Sequence, residues 1–137
     1  MAYTIQKVDY YYTTVRDQPG EAFKLLTILE ELGLNLLAFT AVPVGPNSTQ
    51  LAIFPEDVDK FKHEAQNAQM LLDGPHKAFL VQGDDQLGAL APIHKKLFAA
   101  NVNIYSSSGV ADSKGSYGYI VYVKPDDFGR AVAALDL

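Results

Sequence analysis

Asp17-Gln18-Pro19-Gly20, set where an extended run gives way to a helical one, has the groups needed to hold a small zwitterion. A glycine at such a corner lets a ligand reach the backbone with no Cβ in the way. The helix that follows offers unpaired N–H groups and a partial positive charge, a seat for a carboxylate. Asp17 can take an ammonium group. Beyond the helix, Leu34-Asn35-Leu36 supplies an amide that both donates and accepts. The set returns as Asp85-Gln86-Leu87-Gly88, another helical run, and Val102-Asn103-Ile104. Together these groups suit a carboxylate at the helix end, an ammonium at the acid and an asparagine bridging them. Each residue also has a purely structural use. Asp17 and Asp85 suit the N–H groups of a turn, Gly20 and Gly88 a left-handed backbone, Asn35 and Asn103 the bracing of a helix-to-strand connection. Both uses stand open at this point.

The recurrence has a constant spacing. Gly20 and Gly88 are 68 residues apart, as are Asn35 and Asn103; Pro55 and Pro125 are 70 apart, which needs only a two-residue insertion between. One spacing held over most of the chain implies two copies of one structural unit. The expected repeats are residues 1–72 and 73–137. Units of about 65–70 residues bury little surface alone, so each must lean on its twin or on another chain.

The elements that position the corners follow from periodicity. Residues 6–15 alternate as a strand, with Tyr10 and Tyr12 opposite Tyr11. Residues 20–32 form a helix with an apolar stripe of Phe23, Leu26 and Leu29, stopped by Gly33. Strands at 34–44 and 50–54 flank a turn at Gly45-Pro46-Asn47-Ser48, and Pro55-Glu56-Asp57 opens a helix to about Ala68. After Asp73-Gly74-Pro75 the order repeats: strand 76–82, helix 88–100 with Asn101 as its stop, strands 102–107 and 118–123, helix 125–135. Each copy reads β-α-β-β-α. A ferredoxin-like βαββαβ unit needs one more strand, and Leu137 follows directly on the last helix. The fourth strand is therefore expected from a neighbouring chain or from the first strands, and the open edge favours association. Tyrosines on both strand faces suggest that the second face is covered too, or that tyrosine is half-exposed there. The expected fold is α+β, with antiparallel sheets and helices on one face.

Composition narrows the classes. The 137 residues carry a net charge of −5 with no long basic cluster, which argues against nucleic acid and anionic membranes. There is no cysteine, hence no disulfide, thiol nucleophile or thiolate metal site. His63, His76 and His94 show no ligand spacing, so neither a metal nor a cofactor is expected. No apolar run approaches the ~18–20 residues that span a bilayer, and Met1-Ala2-Tyr3-Thr4 lacks an export pattern, making the cytoplasm the expected compartment. Ser106-Ser107-Ser108-Gly109, with Asp112, Lys114 and Gly115 after it, lacks phosphate-loop spacing and is read as a flexible loop. No nucleophile–base pair or carboxylate dyad stands out.

Asp-x-Pro-Gly before an apolar helix and Gly-x-Asn-apolar after it resemble the ACT domain, a small-ligand regulatory module of amino-acid metabolism. The resemblance covers nearly the whole chain in two tandem copies and is similar to stand-alone tandem-ACT proteins that carry no attached enzyme. Copy one matches throughout; copy two has Leu87 where proline is usual and Asn101 where glycine is usual. The resemblance implies a non-enzymatic regulatory protein, a homodimer, that senses an amino acid at interfaces between modules. The residues it implies are Asp17, Gln18, Pro19, Gly20, Leu34, Asn35 and Leu36 in copy one, and Asp85, Gln86, Leu87, Gly88, Val102, Asn103 and Ile104 in copy two. The alternative is a ligand-free interaction module regulating a separate metabolic enzyme. A small enzyme of the glyoxalase-related kind would need metal-ligating His and Glu on facing strands, which are lacking.

Overall fold

Extended, β-branched and aromatic runs alternate with short amphipathic helices along the chain, and the computed structural model, which describes residues 3–137, follows that alternation. The elements are β1 (Tyr3–Arg16), α1 (Glu21–Glu31), β2 (Leu36–Pro43), β3 (Ser48–Pro55), α2 (Val58–Asn67), β4 (Asp73–Asp84), α3 (Ala91–Ala99), β5 (Ser106–Ala111), β6 (Ser116–Tyr122) and α4 (Pro125–Ala134). The fold is α+β, with antiparallel strand pairing. Two compact units are present, one of Asp9–His76 and one of residues 3–8 together with Lys77–Leu137.

In the Asp9–His76 unit, β3 lies between β2 and β1. Tyr11 of β1 pairs with Ile53 of β3, and both point to the helices. Their core includes Leu29 of α1, Leu34 after it, and Phe61 and Ala65 of α2. Residues 73–76 of β4 run beside β1 as the fourth strand: the Tyr12 ring stacks on His76 at 5.1 Å, and His76 Nε2 contacts Asp73 Oδ1 at 2.9 Å. On the opposite strand face Ala52 and Phe54 are also buried, with Tyr10 stacked on Phe54 at 5.0 Å. The apolar stripe of α1 is wider than its buried part. Leu29 is almost fully buried, whereas Phe23 is 74% exposed and Leu26 and Ile28 are also on the surface.

In the other unit the strand order is β1-β4-β6-β5, so residues 3–8 of β1 complete the sheet. The strand that neither copy carries at its own end comes from the long strands β1 and β4, each of which contributes to both units. The core is Phe79, Val81, Ile93, Leu97, Val102, Val121, Ala131 and Leu135, with Tyr117 and Tyr119. Phe79 lies flat on Phe128 at 4.8 Å between ring centroids.

The ends of α1 and α3 are built from the same hydrogen bonds. Gly33 N–H donates to Glu30 O and Leu34 N–H to Leu29 O; Asn101 N–H donates to Phe98 O and Val102 N–H to Leu97 O. Both helices thus end in the same paired C-terminal motif, with Gly33 and Asn101 in the left-handed region. Lys60 Nζ of α2 donates to Gly33 O at 2.8 Å, and Arg130 Nη1 of α4 donates to Ala100 O and Asn101 O. In each copy a cation therefore faces the negative end of the preceding helix.

Two elements differ from the periodicity reading. Helix α3 begins at Ala91 rather than Gly88, because Pro92 has no N–H to donate and favours the first turn. Residues 86–91 turn instead, with Ala89 N–H on Gln86 O and Ala91 N–H on Gly88 O. Strand β5 starts at Ser106 and runs to Ala111, so Ser106–Gly109 is an edge strand and not a loop. Pairing with β6 decides its place, Ser106 opposite Tyr122 and Ala111 opposite Tyr117.

A candidate ligand groove beside the second corner

Asp17–Gly20 links β1 to α1 and is exposed along its length. Gly20 is the N-terminal cap of α1 at φ 92°, and Gly88 stands at φ 71° in the matching turn. A Cβ added to either would meet nothing within 4 Å, so backbone conformation alone calls for glycine and both corners are open. The hairpin tips fasten both turns alike: Asp17 N–H donates to Asn47 O and Asp85 N–H to Gly115 O, each at 2.9 Å. Neither α1 nor α3 is capped by a side chain, so the Asp17 and Asp85 carboxylates are not spent on the helix starts. Gln18 is occupied. Its Nε2 donates to Glu21 Oε2 at 2.9 Å, and with Lys24 beside it this holds the Glu21 carboxyl below the usual range.

Asn35 lies past the other end of α1. Eleven helical residues separate the corner from it, about 16 Å at 1.5 Å per residue. Asp17 and Asn35 of one copy thus stand at opposite ends of α1, too far apart for one amino acid to touch both. Asn35 Nδ2 donates to Glu56 Oε2 at 3.0 Å, and Glu56 N–H donates to Asn35 O at 3.0 Å, so this asparagine braces the start of β2. A shallow groove of about 410 Å³ nonetheless opens beside it, lined by Leu34, Asn35 and Leu36 with Leu26, Glu30 and Gly33. Asn103 is exposed and follows α3 in the same way, with Val102 buried in the core and Ile104 packed against it. Leu87 projects fully into solvent, and Pro19 in copy one is exposed.

The second corner opens on a larger hollow. Asp85, Gln86 and Gly88 line one side of a groove of about 480 Å³, within the ~300–1,000 Å³ usual for small-molecule sites. Ala89, Leu90 and Ala91 at the start of α3 continue that side. Gly109, Val110 and Ala111 of β5 with Tyr117 and Gly118 of β6 form the other. Among the described residues the N–H groups of Gly88 and Leu90 have no backbone partner. A carboxylate and free N–H groups thus meet over an apolar wall. Gly109 makes room for the Tyr119 ring, since a Cβ there would fall 2.9 Å from Tyr119 Cδ1, and the Tyr119 hydroxyl shares a 2.6 Å hydrogen bond with His94 Nε2. Burial pushes the Tyr117 phenol up, with Tyr3 and Asp84 adding to the effect. Asp112 closes the hairpin tip. The N–H groups of Lys114 and Ser116 donate to it and hold its carboxyl below the usual range.

The β5–β6 wall was not legible as part of a site. Its residues are small or aromatic and carry no motif, and only strand pairing brings them opposite the turn. Among the described residues no three His, Asp or Glu side chains gather as a metal site, and no helix is long and apolar enough to cross a membrane.

No protein-family description matches this chain, and no curated protein matches it in sequence. Solved structures do match. Protein BT0572 from Bacteroides thetaiotaomicron superposes with a TM-score of 0.77 at 15% identity, over 96% of this chain and 88% of that one. The regulatory subunit of aspartate kinase from Thermus thermophilus, in its ligand-free form, gives 0.61 at 18% identity over 99% and 96%. The same subunit from Thermus flavus gives 0.60 at 18% identity over 99% and 95%. These likenesses establish an ACT-type fold.

Proposed function

We propose that this chain is a non-enzymatic regulatory protein of two ferredoxin-like ACT repeats, 1–72 and 73–137, that binds an amino acid. The groove beside Asp85, Gln86 and Gly88 carries the reading, because it joins an uncommitted carboxylate to unpaired N–H groups in a hollow of ligand size. The ammonium group would face Asp85 and the carboxylate the N–H groups at the start of α3. The Asp17–Gly20 corner repeats the chemistry and offers a second seat. The Leu34–Leu36 and Val102–Ile104 segments, lying past the far helix ends, would take part in such a site only across paired modules. A homodimer fits that arrangement: β5 has only β6 beside it and all six of its residues are exposed. Light scattering should then give twice the chain mass.

The test is thermal unfolding against a panel of amino acids. One of them at about 100 times its dissociation constant should add ~2.7 kcal/mol of stability. Asp85→Asn should remove most of that gain while leaving the unliganded melting temperature within a degree or two, since Asp85 is exposed and caps no helix. A panel without any shift at millimolar concentration would remove the amino-acid reading.

A second reading has its own support. The Thermus neighbours are regulatory subunits whose whole length this chain nearly spans. A ligand-free module acting on a separate metabolic enzyme would return one stoichiometric partner in a pull-down, unchanged by any metabolite.

A further inference from the structure

Resting on the amino-acid reading above, we infer that the groove selects amino acids with a large apolar side chain, such as leucine or phenylalanine. Asp85 is the one charged residue on its wall. An amino acid held by its ammonium at Asp85 and its carboxylate at the helix start must send its side chain along the opposite wall. That wall is Gly109, Val110, Ala111 and the Tyr117 ring, with Leu90 above it. No side chain there carries a charge to pair with a second one. An acidic side chain would meet no cation in a chain already at −5, and a lysine ammonium would find no carboxylate beyond the one its own α-ammonium uses. An apolar side chain instead removes water from a wall whose side chains are apolar apart from the Tyr117 hydroxyl, which is itself shut off from solvent. The volume favours a long side chain over a short one. Alanine would leave most of the 480 Å³ to solvent.

Specificity of this kind is a difference between affinities, so it is read by comparison. Calorimetric titration of the full chain with alanine, leucine, phenylalanine, lysine and glutamate should rank leucine and phenylalanine about tenfold or more above alanine. Lysine and glutamate should fall at or below alanine. Lysine or glutamate equal to leucine would overturn this inference and leave amino-acid binding standing; no binding by any of the five would overturn both. Ala111→Asp supplies the second arm. Ala111 is exposed on β5, so the variant keeps the core intact while placing a carboxylate on the wall. Lysine should gain on leucine by about tenfold in that variant. A leucine preference unmoved by the substitution would put the side chain elsewhere and overturn the inference.

Discussion

Phe79→Ala should lower the stability of the unit formed by residues 3–8 and Lys77–Leu137 by about 3–5 kcal/mol, read from chemical denaturation. Phe79 is fully buried on β4 and stacks flat on Phe128 of α4, among Ile93, Leu97 and Val121. Truncation removes the ring's transfer energy and leaves a cavity that two helices and a paired strand cannot collapse into. Against a usual total of about 5–15 kcal/mol, that is a large share. Phe98→Ala is the control. Phe98 is 84% exposed on α3, and its loss should stay within about 0.5 kcal/mol. Equal effects from the two substitutions would mean that the core is not where the structure puts it. A ligand-binding loss in Phe79→Ala would then report unfolding, which is why the functional tests use exposed Asp85 and Ala111.

Gly74→Ala should cost about 2–5 kcal/mol, although residue 74 is exposed and in no helix or motif. The glycine stands at φ 150°, and a Cβ would fall 2.7 Å from Tyr11 Cδ2 and 2.9 Å from Tyr10 O. Tyr11 cannot give way freely, since its ring is buried against Phe61 at 4.8 Å, and the carbonyl belongs to the backbone of β1. Gly20→Ala makes the comparison. It meets nothing within 4 Å, so only left-handed backbone strain of about 1–2 kcal/mol applies. If Gly74→Ala melted no lower than Gly20→Ala, the close approach of residues 73–76 to β1 would be wrong, and with it the source of that unit's fourth strand.

The two glycine positions show where local reasoning reaches its limit. Gly20 and Gly88 were readable as left-handed corners, because a strand-to-helix turn demands such a backbone whatever surrounds it. Gly33 and Asn101 were readable as helix stops for the same reason, and both make the expected bonds. The late start of α3 also had a local cause in Pro92. Gly74 carried no such signal beyond its place at a boundary, since its constraint is the ring of Tyr11, more than sixty positions earlier in the chain.

What the chain alone settled was what neighbouring residues dictate: the order of strands and helices, the helix exits at Gly33 and Asn101, and the alternation that sends Tyr11 and Tyr12 to opposite faces. Tertiary structure decided the rest. Periodicity names the partners of a core but not the strand that closes a sheet, so only pairing could show that β1 and β4 each serve two units. A helix of about 16 Å held Asn35 away from Asp17, although the motif reads them together. The groove arose where β5, a strand of small side chains, came to lie opposite the second corner. Hydrogen bonds between distant strands made that hollow, and distant pairing leaves no mark in local spacing.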